Sequence, residues 1–172
     1  VTGPAPLPAA LTVHHTDVAD PLARPLLAEL THEYSTRYQK PVDLDREYPP
    51  EEFAPPGGAF LLLLEDGRPV AGGAYRQYDA HTAELKRIWT HSAHRRRGLA
   101  RRVLHVLERD AAARGYTRLY LTTGPRQPEA KGLYLAAGYR PLFDVTADPE
   151  TIGPLPFEKD LPAAHHLETP NP

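Results

Sequence analysis

The chain has 172 residues, with 22 acidic and 20 basic side chains, a formal net charge of −2 and no cysteine. That length supports one domain with a sizeable core, and the near-neutral charge gives no general reason to expect a nucleic-acid partner. The missing thiol excludes disulfides, thiolate nucleophiles and cysteine metal sites.

Residues 1–10, rich in Pro and Ala, read as a disordered or extended tail. They lack the charged region and apolar core of a signal peptide. The longest apolar run, residues 59–64, is far too short to span a bilayer. A cytoplasmic protein without membrane contact is the expectation. A first strand is predicted at residues 11–16, followed by a helix with Asp17 and Asp20 as N-cap candidates and Leu22, Leu26, Leu27 and Leu30 on its buried face. Pro25 belongs in a first turn, which puts the helix start near Arg24. Residues 35–58 are proline-rich without a sustained period and read as a long loop with a short helix at residues 51–54.

A hairpin follows, from residues 59–64 and 70–78 around the turn at residues 65–69. Gly72 and Gly73 in its second arm suggest a bulge or a close backbone approach. The next strand starts near Glu84. Leu85, Arg87 and Trp89 alternate there with Glu84, Lys86, Ile88 and Thr90, so Trp89 is expected on the face of Leu85. From Leu99 the period changes: Leu99, Val103, Val106, Leu107 and Ala111 fall at helical spacing, and Gly115 is the stop. A parallel strand is predicted at residues 118–123, a helix at 128–137, strands at 139–143 and 155–161, and a disordered tail at 162–172.

Between the two periods lies Arg95-Arg96-Arg97-Gly98-Leu99-Ala100. A glycine-bearing turn at a helix start leaves backbone N–H groups free at the positive end of the dipole, and Gly98 and Ala100 let an anion come close. Arginines there oppose the macrodipole, an unfavourable choice unless an anion is present. Residues 84–118 hold ten Lys/Arg against three acids, so the basic field is local and suits a small polyanion. Neither a P-loop nor a G-x-G-x-x-G pattern occurs.

Arg-x-x-Gly-x-Ala resembles the acyl-CoA pyrophosphate loop of the GNAT acetyltransferase superfamily. Downstream, Gln127-Pro-Glu-Ala130-Lys-Gly-Leu133-Tyr134-Leu-Ala-Ala-Gly138-Tyr139 is similar to that family's second segment, with Gln127 where asparagine is usual. The resemblance covers residues 11–161. It implies an α/β GNAT fold, a mixed central sheet of about six to seven strands flanked by about four helices, in a single domain of residues 11–161. It also implies an N-acetyltransferase that uses acetyl-CoA and a primary amine.

Carried residue by residue, the resemblance assigns Arg95, Arg96, Arg97, Gly98, Leu99, Ala100 and Arg101 to the phosphates of coenzyme A. Ile88, Trp89 and Thr90 would pair through their backbone with the pantetheine arm, Gln127 would add a contact, and Trp89 or Thr90 N–H would polarise the thioester. Tyr134 would sit by the sulfur and protonate the thiolate. Glu84, eleven residues before Arg95, stands where several members place a general base, although pairing with Lys86 or a neighbouring strand's arginine explains it as well. Without cysteine, direct attack in a ternary complex is the consistent scheme.

The acceptor is expected to be a small amine, with a protein amino group as the alternative. The resemblance implies that it is bordered by Asp43, Asp45, Glu47, Glu51 and Glu52 against Arg46 on one side and Asp148 and Glu150 on the other, acids that would draw a cation but that solvated loops explain as well. The nine histidines form no H-E-x-x-H or equivalent set, so no metal is expected. A non-catalytic acyl-CoA sensor is the alternative reading. A nucleic-acid-binding domain is disfavoured because no aromatics interleave the arginines. A homodimer, common in the family, is left open.

Overall fold

The computed structural model describes residues 10–163. The tails expected at 1–10 and 162–172 therefore lie outside the described residues, except for Ala10, Pro162 and Ala163. Seven strands form one sheet in the order β1-β2-β3-β4-β5-β7-β6. They are β1 (Leu11–His15), β2 (Ala59–Glu65), β3 (Arg68–Gln77), β4 (Thr82–Thr90), β5 (Arg118–Thr123), β6 (Arg140–Pro141) and β7 (Leu155–Asp160). Three long helices, α1 (Arg24–Tyr38), α3 (Leu99–Ala113) and α4 (Pro128–Ala136), and the single-turn α2 (Leu44–Glu47) complete the fold. The sheet matches expectation, whereas the fourth helix is only one turn.

Local chemistry explains the boundaries. Asp20 accepts the Leu22 N–H at 2.9 Å and caps a 3-10 turn, Pro21–Ala23, that feeds α1. Pro25 falls in the first turn of α1, where its missing N–H costs nothing. The helix runs on through Tyr38 and ends at Gln39, which is left-handed at φ 51°. The loop expected from residue 35 thus begins only after that helix, because Glu33 and Arg37 pair at i,i+4 (3.0 Å) and Arg37 is further tied to a distant loop. The short helix expected at 51–54 is a 3-10 turn at Pro50–Phe53, and the strand expected at 139–143 pairs only at Arg140–Pro141.

Every pairing is antiparallel except β4 with β5. That parallel register covers only Thr82–Arg118, Ala83–Leu119 and Glu84–Tyr120. Beyond it β4 continues to Thr90 on β3, while β5 continues to Thr123 on β7. The strands part, and the β5-side edge of β4 from Leu85 onward has no strand partner.

A core fills each face. On one, α3 and α4 pack Leu99, Val103, Leu104, Leu107 and Tyr134 onto Leu61, Leu63, Tyr75, Leu85, Leu119, Leu121 and Phe157. On the other, α1 packs Leu26, Leu27 and Leu30 with Phe53 onto Phe60, Leu62 and Trp89. Each such leucine contributes about 1.5–3 kcal/mol on burial.

The β3–β4 ladder is bulged, as the glycine pair suggested: Gly72 faces Trp89 and Ala74 faces Lys86, with Arg87 left-handed at φ 60°. A Cβ on Gly72 would stand 2.8 Å from Leu61 O, and one on Gly73 2.7 Å from Ile88 Cδ1. The extra residue also overturns the strict alternation read from the sequence. Trp89 joins the α1-side core and Leu85 the α3-side core, on opposite faces of the sheet.

Candidate active site

At the start of α3, Gly98 (φ 72°) supplies no side-chain cap and the first turn holds no acid. The first helical bond runs from Arg102 N–H to Gly98 C=O at 3.3 Å, so the N–H groups of Leu99, Ala100 and Arg101 lack helical acceptors. A Cβ on Gly98 would meet nothing within 4 Å: the backbone is open to an approaching group. Arg96 is left-handed too, at φ 64°, which bends the loop around that point.

This terminus opens into a cleft of about 440 Å³, whose wall includes Ile88, Trp89 and Thr90, Arg95, Arg96, Gly98, Leu99, Ala100 and Arg101, and Gln127 and Tyr134. Those are the residues that the sequence reading assigned to coenzyme A, less Arg97. The Arg97 guanidinium turns away from the cleft to pair with Glu65 at the end of β2 and to meet His94 Nδ1 at 2.8 Å. A carboxylate 32 positions earlier holds it there.

Trp89 is fixed by its indole Nε1, which donates to Glu29 Oε1 at 3.1 Å; Ser92 N–H donates to the same oxygen at 3.1 Å. Burial pushes the Glu29 pKa up, but bonds from Ser92 and Trp89 outweigh it and leave it below its usual value. Gln127 accepts from Gly124 N–H and from Tyr38 Oη, each at 3.2 Å.

Five further lining residues, Leu30 and Glu33 of α1 with Glu129, Ala130 and Leu133 of α4, were given no place at the site by the sequence. Arg37 bridges Glu33 and Glu129 across the cleft. It also donates to Arg126 C=O at 2.8 Å, and Arg126 returns a bond to Arg37 C=O at 3.0 Å. The i,i+4 spacing of Glu33 and Arg37 was the available signal, masked by placing the loop start at residue 35.

Tyr134 is 6 % exposed and rings with Tyr139 and Phe157, each at a centroid distance of 5.6 Å. Its hydroxyl makes no hydrogen bond with the described residues and belongs to the cleft wall. Burial raises its pKa well above that of a free phenol, which keeps the proton on the oxygen at neutral pH.

Glu84 sits at the last parallel pair, opposite Tyr120, and outside the cleft wall. Arg76 of β3 donates to its Oε1 at 2.9 Å, and Lys86 Nζ lies 3.8 Å from its Oε2. Both structural partners anticipated for it are therefore present. The acidic walls are partly neutralised: Glu52 pairs with Arg76 (2.5 Å), Asp43 with Arg46 (3.3 Å) and Glu150 with Arg126 (2.8 Å). Asp148 caps the turn at Pro149–Thr151. Among the described residues no group of three or more His, Asp or Glu side chains gathers as a metal site, and no helix is long and apolar enough to cross a membrane.

A seven-stranded mixed sheet that parts between its two parallel strands, with an open helix terminus and a buried tyrosine at the gap, defines an acyltransferase fold. The profile of the Acetyltransferase (GNAT) family matches residues 25–139, and the chain belongs to that family. It is 34 % identical over 93 residues to the uncharacterized N-acetyltransferase YsnE of Bacillus subtilis, a match covering 51 % of this chain and 62 % of that protein. Among solved structures, a candidate acyl-CoA N-acyltransferase from Klebsiella pneumoniae superposes with a TM-score of 0.70 at 26 % identity, over 88 % of this chain and 97 % of the other. A GNAT family acetyltransferase from Elizabethkingia anophelis with acetyl-CoA bound gives 0.60 at 17 % identity, over 88 % and 98 %.

Proposed function

We propose that the chain transfers the acetyl group of acetyl-CoA to a primary amine by direct attack within a ternary complex. One observation carries this reading: a single cleft joins the uncapped start of α3, the free edge of β4 and Tyr134, whose hydroxyl has no hydrogen-bond partner among the described residues. The amides of Leu99, Ala100 and Arg101, with Arg95 and Arg96, receive the pyrophosphate. Ile88, Trp89 and Thr90 offer backbone groups to the pantetheine arm, as an added strand would. Gln127 supplies its amide. The Trp89 or Thr90 N–H polarises the thioester carbonyl.

The amine nitrogen attacks the carbonyl carbon, the C–S bond breaks, and Tyr134 Oη gives its proton to the leaving sulfur. Glu84, directly or through a water, takes the proton that the ammonium must lose before attack. Arg76 and Lys86 already hold this carboxylate, and that pairing is the observation favouring the rival, a non-catalytic acyl-CoA sensor.

The test is a calorimetric titration with acetyl-CoA on the wild type, Arg95→Ala with Arg96→Ala, and Arg97→Ala, followed by free-thiol release with an amine panel. A cysteine-free protein adds no thiol background. Binding lost in the double variant and kept in Arg97→Ala, together with amine-dependent thiol release, supports the enzyme. Binding without release for any amine supports the sensor, and no binding to folded protein rejects both.

A further inference from the structure

The bulge at Arg87 has a consequence for the face of β4 that looks toward α1. Glu84 and Lys86 share that face, beside the point where β4 and β5 part. Lys86 Nζ stands 4.9 Å from the centre of the Tyr48 ring, and Tyr48 packs on the α1-side core. From β5, Tyr120 faces the same group; burial raises its phenol pKa, with the neighbouring Tyr78 and Glu84 adding to the rise and Lys86 opposing it. Tyr78 and Tyr120 stack at 4.8 Å. The group is compact, polar and walled by aromatic rings.

Its charges are unevenly served. Arg76 takes two carboxylates, Glu52 at 2.5 Å and Glu84 Oε1 at 2.9 Å. Lys86 takes none. Its side chain is only 19 % exposed, its ammonium makes no hydrogen bond with the described residues, and its nearest charge is Glu84 Oε2 at 3.8 Å, beyond hydrogen-bond range. An ammonium stripped of much of its water without acceptors in exchange is unfavourable, and an anionic ligand oxygen is what would compensate it. Glu84 Oε2 is in the complementary position, a carboxylate oxygen that Arg76 leaves free. The two groups, one cation and one anion a few ångströms apart, match the two ends of a zwitterion.

We propose that the acceptor is an amine that also carries a carboxylate, of the amino-acid type, with its carboxylate on Lys86 and its amine at Glu84 Oε2. This rests on the acetyltransferase reading above and names the substrate class for the same site. It also narrows the expected small-amine acceptor, since Asp43, Glu52 and Glu150 of the acidic walls are engaged by arginines. Lys86 here is a specificity determinant. The transfer step is unchanged: the amine nitrogen gains the acetyl group, and the carboxylate remains a spectator held in place.

Matched pairs of free amino acids and their C-terminal amides test it, with acetyl-CoA held saturating and thiol release as readout. The expected result is a kcat/KM at least about 10-fold higher for the best acid than for its amide, the size of one charge-assisted contact. Lys86→Met should bring that ratio to within about 2-fold of unity, chiefly through KM. Lys86→Arg, which keeps the charge, should retain most of it, and acetyl-CoA calorimetry on each variant establishes that it is folded.

Amides used as well as acids by the wild type, or a ratio that survives Lys86→Met, overturns the inference. So does acetylation confined to amines without a carboxylate, which leaves the acetyltransferase reading intact. Acetyl-CoA binding with no acid acetylated overturns it too, and failure to bind acetyl-CoA rejects the underlying reading instead.

Discussion

Gly98→Ala separates the backbone cradle from simple backbone strain, because Gly115 provides a matched control. Both glycines are left-handed, at φ 72° and 95°, and a Cβ at either meets nothing within 4 Å. Alanine at each position therefore costs only the left-handed conformation, about 1–2 kcal/mol. For a domain of this size that lowers Tm by about 2–8 °C in the absence of ligand.

The two sites differ in place. Gly98 opens on the cleft at the start of α3, while Gly115 lies beyond its other end, roughly 25 Å away by the helix rise. The new methyl at residue 98 projects into the space a phosphate must enter to reach the Leu99 and Ala100 amides. Losing one such charge-assisted bond, about 1.5–3 kcal/mol, weakens acetyl-CoA by about 10-fold or more. The assay is thermal unfolding of both variants without ligand, then calorimetric titration with acetyl-CoA. Similar Tm losses with weakened binding only in Gly98→Ala is the expected pattern. Wild-type affinity in Gly98→Ala, or equal weakening in Gly115→Ala, would refute the cradle.

Tyr134→Phe should lower kcat by about 10²- to 10⁴-fold, the usual range for a lost general acid, with acetyl-CoA affinity within about 2-fold because the hydroxyl acts only on the leaving sulfur; a kcat unchanged in steady-state assays would remove Tyr134 from the chemistry. Leu107, fully buried on the sheet-facing side of α3, should cost about 2–5 kcal/mol on replacement by Ala, read as a lower denaturant midpoint with an unchanged m-value. Asp20 accepts from Thr16 Oγ1, Leu22 N–H and His14, which hold its pKa down to about 2. Its folded value lies below the unfolded one, so its stabilisation is present above about pH 4 and fades as the pH falls toward 2. The Tm gap between wild type and Asp20→Asn should therefore narrow as melts are taken from pH 5 toward pH 3, and a gap that widens on acidification contradicts the assignment.

Much of this protein was legible in its residues because the signals are local. The period change at Leu99, the stop at Gly115, the apolar run from Ala59 and the contiguous loop 95–101 depend on near neighbours, and the structure places them where those patterns put them. The cleft wall was equally readable at Ile88, Trp89, Thr90, Gln127 and Tyr134, since short segments carry them.

What the chain alone did not reveal depends on partners distant in sequence. A single bulged residue at Arg87 sent Trp89 to the face opposite Leu85, because one extra residue in a two-residue period inverts every side chain beyond it. Arg97 looks like its two neighbours in the sequence, yet Glu65 draws it off the cleft. Glu33 and Glu129 meet over Arg37 only when α1 crosses the gap. The acid count of residues 42–52 was correct as a sum, but Arg76 from another strand neutralises Glu52 and takes one oxygen of Glu84, leaving Lys86 only a longer ion pair to the other. Periodicity and turn chemistry act over a few residues and can be read along the chain. Charge compensation and the direction of a side chain are decided by whichever groups folding brings within a few ångströms, and only the tertiary structure selects them.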